Sequence, residues 1–435
     1  MTTATTAPAK GADRRPTKDA PTTPKRMSQR RRVTIGVLLV ALGGAMIVLF
    51  GAGSGAGQES TFGLNPRDPA ISIPDLTVPS RATGYVLGLV CAAIGGVQLA
   101  RGFGRRAYLV LGVVIVLFVF AFLAWAARGT SFSLLGMLES TVLRATPLTL
   151  GAMSGVLCER AGVINIAIEG MMLTAAFTGA LVGSAADNLY VGLAGGILIG
   201  ALLGLVLGLL SIRYRVDQIV GGTVLNIFAL GITSYLSARV LTEYQELNNP
   251  GVFGAISIPL LSDVPILGPL FFSANIFVYL MLALVAVITF ALYRTRWGLR
   301  VRAVGEHPRA ADTVGIDVLR TRYRSVVMGG AVAGLAGSFF TLGSVGRFDE
   351  NMTAGRGFIA LAALIFGRWH PAGALAAALV FGFAESLQTK LAILDTPIPS
   401  EFLLMAPYLV TILVVAGLVG RARPPAADGI PYEKG

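Results

Sequence analysis

Charge is scarce in this sequence: 13% of its 435 residues are Asp, Glu, Lys or Arg, and 54% are apolar. A soluble domain carries roughly 25% charged residues, so a water-soluble globular chain is excluded and an integral membrane protein is left. Cysteine is nearly absent. Cys91 and Cys158 lie within or at the end of apolar segments, and two such residues imply no disulfide framework. Histidine is limited to His307 and His370. With no H-E-x-x-H and no G-x-S-x-G, enzyme chemistry has little to stand on. The G-x-x-x-x-G-K-[ST] phosphate loop is missing too. The chain has no visible means of holding nucleotide phosphates; no cofactor is expected on it, and if its work needs ATP, another subunit supplies the hydrolysis. Period-two alternation is also lacking. Runs such as "GGILIGALLGLVLGLL" (195–210) are continuously apolar and exceed the 9–11 residues of a barrel strand, which excludes a β-barrel.

What is present is a series of apolar runs separated by basic loops. Length alone would suggest about three soluble domains, but the runs recur through most of the chain, giving one polytopic unit. The net charge of +12 is localised: nine of 35 basic residues fall in positions 1–32 and eight more between Arg294 and Arg324. Both clusters flank apolar segments, as cytoplasmic loops do, and the partner they point to is a lipid bilayer rather than nucleic acid. Residues 1–32, rich in Thr, Ala, Pro and Lys/Arg, read as a disordered basic tail. "GAGSGAG" (51–57) raises a cleavable signal peptide as a rival, but Val33–Phe50 is longer than an ordinary signal core.

With about 20 residues needed to span a bilayer, candidate spans fall near Val33–Gly53, Thr83–Ala100, Ala107–Ala126, Thr141–Leu157 and Ile164–Ser184. Further spans fall near Leu189–Ser211, Gln218–Val240, Phe272–Tyr293, Tyr323–Val345, Gly357–Trp369, Ala372–Gln388 and Phe402–Val419. The expected fold is an all-α polytopic bundle of about ten to twelve transmembrane helices. Gly357–Trp369 is too short for a straight span, so broken or re-entrant helices belong to it. Alternating twelve crossings from a cytoplasmic amino terminus puts the basic segments at 101–106, 212–215 and 294–324 inside, and the acidic "LTEYQELNNPG" (241–251) outside. Both termini are then cytoplasmic. Most of the 54 glycines lie in the apolar runs, where small residues let helices approach closely.

Polar groups inside these runs are few. Asn165 and Glu169, four residues apart in "ERAGVINIAIEGMM" (159–172), would share one helix face. Asn226, Glu385 and Gln388 are similarly placed, and Gln218 stands at a mouth. A carboxylate in hydrocarbon must be paired or face water. Asn165, Glu169, Gln218, Asn226 and Glu385 are therefore candidates for a solute pathway, with hydrogen bonding between helices as the alternative role. The loop Tyr293–Arg324 is too polar to span and too long for a hairpin, and reads as a docking element.

Its Ala310-Ala311-x-x-x-Gly315 spacing resembles the core of the cytoplasmic coupling loop of ATP-binding-cassette importer permeases, with Arg309 in place of the usual Glu. "ERAGVINIAIEGMMLTAAF" (159–177), "WGLRVRAVGEHPRAADTVGI" (297–316) and "AGRGFIALAALIFGRWHPAGALAAALVFGFAESLQ" (354–388) closely resemble permeases of the branched-chain amino acid and ribose importer superfamily. Within it they most resemble the nucleoside (purine nucleoside, guanosine-type) uptake branch. The likeness runs from about Leu143 to Arg421; Ala167 stands where Gly is frequent, and His307 where Asn is common. The resemblance implies a domain order of 1–32 tail, 33–140 N-terminal extension with about three helices, 141–421 permease core and 422–435 cytoplasmic tail. It implies a coupling loop containing Gly305, Glu306, Arg309, Ala310, Ala311, Gly315 and Ile316, seated against a cytoplasmic ATPase subunit. Further partners would be a second related permease chain and an extracytoplasmic solute-binding lipoprotein, at the bacterial cytoplasmic membrane. A sugar or another small solute is the alternative cargo. A proton-coupled secondary transporter using Glu169 or Glu385 is the alternative mechanism.

Overall fold

A computed structural model describes residues 29–66, 71–394, 405 and 423–434. The expected last span, Phe402–Val419, and nearly all of the basic amino-terminal tail lie outside the described residues. The chain divides into two compact units, one within Met1–Ser60 and Thr77–Thr130, the other within Thr61–Leu76 and Ser131–Gly435.

The first unit contains α1 (Gln29–Ala45), α2 (Ser80–Ala100) and α3 (Ala107–Ala126). A π-helical stretch, Met46–Gly51, continues α1. Backbone contact brings α1 and α2 together: a Cβ on Gly43 would stand 2.7 Å from the Gly88 carbonyl oxygen, and one on Gly84 would stand 2.5 Å from the Gly51 nitrogen. Leu39, Met46, Phe50, Cys91 and Val114 fill the space between the helices. Val86, Leu89, Leu109 and Val116 are exposed, as apolar side chains are where lipid is the solvent.

The second unit holds α4 (Leu134–Glu159), α5 (Ile168–Ala185), α6 (Leu189–Gly208), α7 (Gln218–Leu236), α8 (Ile276–Arg294), α9 (Arg296–Glu306), α10 (Pro308–Thr313), α11 (Val318–Phe340), α12 (Arg356–Phe366) and α13 (Pro371–Ile393). Strands are short; β1 (Ala255–Ser257) and β2 (Ser273–Asn275) form an antiparallel pair just before α8. Among the described residues ten helices are long and apolar enough to cross a membrane, and α12, with 11 residues, is not. The helices follow the expected spans with two informative differences. Ser133 accepts a hydrogen bond from the Gly136 N–H and caps α4, so that helix starts seven residues before the expected Thr141. The expected span at Ile164 becomes helical only at Ile168.

The centre of this unit is α4 and α11, buried over most of their length. Glycine makes the closest seam. Gly196, Gly200 and Gly204 of α6 face Gly330, Gly334 and Ser338 of α11, and a Cβ on Gly204 would lie 2.8 Å from the Val326 carbonyl oxygen. In lipid, where burial of apolar area cannot drive helices together, such backbone contact supplies the packing. Gly200→Val forces the two backbones apart and should cost on the order of 1–3 kcal/mol. The expected result is a lower melting temperature in detergent, with Gly112→Ala, where a Cβ meets nothing within 4 Å, left at the wild-type value. Equal melting temperatures for Gly200→Val and wild type would disprove the seam.

Candidate solute pathway

Two interruptions of the helical ladder define the interior. The first follows α4. Arg160 to Ala167 are not helical, Gly162 turns the chain with φ +83°, and Val163, Asn165 and Ala167 are buried. Buried peptide groups need partners that a helix would have supplied, and α7 supplies them. The Gln218 carbonyl accepts from the Ile164 N–H at 2.7 Å; Asn226 donates to the Ile166 carbonyl at 2.9 Å and accepts from the Gly170 N–H at 2.8 Å. One amide thus bridges the last free carbonyl before α5 and an N–H in its first turn. Gly170 permits the approach, since a Cβ there would lie 3.0 Å from Asn226.

The second interruption precedes α12. Gly346, Asn351, Ala354 and Gly355 all have positive φ, and α12 then begins with its first N–H groups lacking helical acceptors. Glu169, in the first turn of α5, provides them. Its Oε1 accepts from Thr353 Oγ1 at 2.6 Å and the Gly355 N–H at 2.9 Å, and its Oε2 accepts from the Gly357 N–H at 2.6 Å. A carboxylate at a helix N-terminus also complements the helix dipole. Gly357 has no room for a side chain, because a Cβ would stand 2.5 Å from the Glu169 Cα. Glu169 is 8% exposed, so this carboxylate caps a neighbouring half-helix.

Asn165 and Glu169 do not share a helix face, which corrects the expectation from their spacing: α5 starts after Asn165. The Asn165 amide instead donates to Ser154 Oγ on α4 at 3.2 Å. Its Oδ1 has no hydrogen-bond partner among the described residues.

Beside the second break lies a cavity of about 350 Å³. Its walls come from α4 (Leu143, Arg144, Pro147), the end of α11 (Phe339, Phe340) and three charged positions beyond them, Asp349, Arg356 and Glu385. Glu385 Oε1 receives Arg144 Nη1 at 2.8 Å and Arg356 Nη2 at 2.6 Å. Arg144 also donates to Thr389 at 3.2 Å, and the Arg356 guanidinium stands 5.6 Å from the Phe340 ring centre. Pro147 has no N–H, so the Leu143 carbonyl loses its helical donor. The cavity therefore offers guanidinium donors, carboxylate acceptors, a spare carbonyl and aromatic faces, which can hold a flat solute with polar edges.

Of the five expected pathway residues, Glu385 lines this cavity, while Gln218, Asn226 and Glu169 close the backbone breaks and Asn165 bonds to α4. Arg144 and Arg356 were not among the expected residues. The signal was in the sequence, since Arg144 falls inside an apolar run.

The expected coupling loop is two short helices, α9 and α10. Ala311 is buried with Val304, Val318 and Tyr432, whereas Arg309, Ala310, Val314 and Gly315 are exposed. Gly315, at φ +81°, closes α10 with its N–H on the Asp312 carbonyl. Gly305 lies flush on the Arg160 carbonyl, Glu306 ends α9 and Ile316 follows α10. At the same end of the bundle His370 stacks on Tyr293 with ring centres 4.8 Å apart. Burial, helped by the Arg160 guanidinium, lowers the imidazole pKa below its ordinary value.

Comparison with known proteins agrees with this architecture. The sequence profile for the branched-chain amino acid transport system permease component matches residues 137–416. The guanosine ABC transporter permease protein NupQ of Bacillus subtilis is 42% identical over 310 residues, covering 69% of this chain and 97% of that protein. The nucleoside ABC transporter permease protein NupC of Lactococcus lactis is 36% identical over 311 residues, 68% of this chain and 96% of its own length. A putative glucose ABC transporter permease of Haloferax volcanii, TsgC13, is 34% identical over 259 residues, 59% and 77% of the two chains. No solved structure matches the chain.

The cap at α12 can be tested by substitution. Glu169→Leu strands three donors, at roughly 1–3 kcal/mol for each one that is buried and left unsatisfied. Glu169→Gln keeps one acceptor oxygen but places an NH2 against a donor. Melting temperature and monodisperse yield in detergent should fall in the order wild type, Gln, Leu. A Leu variant as stable as wild type would remove the cap from the account.

Proposed function

Because this chain belongs to the family of branched-chain amino acid transport system permease components and is a multi-pass membrane protein, we propose that it carries nucleosides through the membrane for an ATP-driven importer. It is a transport subunit and not an enzyme, and permeases of this kind work with ABC ATPases and solute-binding proteins. The finer assembly is part of the proposal: two cytoplasmic ATPase subunits, a second related permease chain beside this one, and an extracytoplasmic lipoprotein delivering solute. ATP-driven closure of the ATPase pair would reach the bundle through Arg309, Ala310, Ala311 and Gly315, giving alternating access. The domain order and orientation proposed are those of the sequence reading, with the basic loops and both termini in the cytoplasm.

The observation that carries the nucleoside reading is the cavity beside Glu385. At about 350 Å³ it is within the range of small-molecule sites, and its chemistry suits a nucleoside on two counts. A heteroaromatic base stacks on Phe340 and accepts from a guanidinium, while ribose hydroxyls donate to Glu385 or Asp349. The names of the two relatives that match nearly over their whole length, guanosine and nucleoside permeases, support the same cargo. A proton-coupled mechanism has less support, since Glu169 is committed to a helix cap and Glu385 to two arginines.

In membrane vesicles containing the chain with its ATPase subunits and binding protein, radiolabelled guanosine should accumulate when ATP is supplied to the cytoplasmic side. Excess glucose should not compete, and a pH gradient without ATP should drive nothing. The purified chain alone should neither bind nor hydrolyse ATP. Glu385→Gln, which weakens two charge-assisted bonds, should lower uptake per inserted protein by about tenfold, equivalent to ~1.4 kcal/mol. Uptake driven by the pH gradient alone would reject the ATP-driven reading, and full uptake by Glu385→Gln would reject this cavity as the solute site.

A further inference from the structure

The carboxyl-terminal residues 423–434 lie beyond the family match, which ends at 416, yet they are bound to the bundle at many points. The Ala427 N–H donates to the Gly305 carbonyl at 2.8 Å, and the Ala426 N–H to Glu306 Oε2 at 3.2 Å. Arg322 of α11 is 2% exposed. Its guanidinium donates to the Ile430 carbonyl at 2.9 Å and approaches the Ala427 carbonyl. Removing the segment would leave that buried cation without these acceptors, a costly arrangement. Glu433 pairs with Arg215 beyond α6.

Two further contacts give the segment a direction. Tyr432, 8% exposed, packs with Val304, Ala311 and Val318, so it grips the buried face of α10, and its hydroxyl meets Asp312. Four residues earlier, the Asp428 carboxyl meets Glu159 at the end of α4. The Ala427 carbonyl crosses Gly162, where a Cβ would be 3.0 Å away, and Gly429 lies on Ile164. One short peptide thus touches the coupling helix at one end and the non-helical stretch 160–167 at the other. That stretch leads into α5, whose Glu169 caps α12 at the cavity.

We propose that residues 423–434 are a strap that transmits movement of α10 to the broken segment of α5, with Arg322 and Tyr432 as its positioning residues. The inference rests on the importer reading, because it takes α10 to be moved by an ATPase partner. α9 reaches Arg160 directly through Gly305, whereas α10 is joined to the break through the strap. Burial raises the Asp428 carboxyl above its ordinary value.

The experiment uses the complex of full-length chain, ATPase subunits and binding protein, compared with complexes carrying a deletion of 423–435, Tyr432→Asp or Tyr432→Phe. ATPase association and hydrolysis should persist in all four. Guanosine uptake per assembled complex should fall about tenfold in the deletion and in Tyr432→Asp, and be restored in Tyr432→Phe, a loss in the range of ordinary coupling between sites. Hydrogen exchange at amides 161–167 gives a readout that needs no solute. A non-hydrolysable ATP analogue should alter it in the wild-type complex and leave it unchanged in the deletion. If the deletion does not assemble, Tyr432→Asp decides. Wild-type uptake together with a wild-type nucleotide response at 161–167 in Tyr432→Asp would overturn the strap. If the wild-type complex takes up no nucleoside, the cargo reading fails while the exchange measurement still decides the strap.

Discussion

A peptide group in hydrocarbon finds no water to bond, so every interruption of a transmembrane helix has to be closed by the protein itself. Among the described residues two such interruptions stand side by side, before α5 and before α12, and one carboxylate links them. Glu169 belongs to the helix that begins after the first break and accepts three hydrogen bonds at the helix that begins after the second. Asn226 and Gln218, both on α7, close the remaining groups of the first break. The polar residues most conspicuous in the apolar runs are therefore the condition for having breaks at all. With them in place, α12 can be a half-helix: 11 residues at about 1.5 Å each reach roughly half of a ~30 Å hydrocarbon core.

The second group of intramembrane polar residues follows a different rule. Arg144, Arg356 and Glu385 come from three helices and meet at a cavity, one carboxylate oxygen holding two guanidiniums. The triad carries one more positive than negative charge, and Asp349 on the cavity wall is paired with Arg347. Caps use up their acceptors on the protein backbone; the cavity retains hydrogen-bonding capacity. That difference is why the cavity, rather than the Asn165–Glu169 pair, is the place where a polar solute can be held.

How much of this the sequence disclosed depends on the range of the interaction. Span positions and the shortness of the segment after Gly357 come from local composition, and both were legible. The role of Glu169 was not, since its partners are 184 to 188 residues away, and helical periodicity was assumed where Gly162 turns the chain out of a helix. The Arg144–Glu385 pair spans 241 residues; an arginine inside an apolar run was readable, its partner was not. The last residues, "RPPAADGIPY" (423–432), have the composition of a solvated tail. What binds them is Arg322, a single buried cation 105 and 108 residues upstream of the carbonyls that receive it.

Under the importer reading, the distribution of close backbone packing says which parts can move. The α6–α11 seam is glycine against glycine over most of its length, with Ser338 at one end, and a relative shift of the two helices would bring backbone atoms into overlap or open a void. The cavity walls are built the other way. α4 lacks a rung of its ladder at Pro147, the stretch from Gly346 to Gly355 has turns in place of a helix, and α12 is held at its start by a side chain rather than by a continuous helix. A displacement arriving at residues 160–167 meets a rigid wall on the α11 side and a segmented one on the α12 side. The half-helix and the cavity beside it, not the glycine seam, are therefore where such a movement would be taken up, with the Glu169 cap tying α12 to α5.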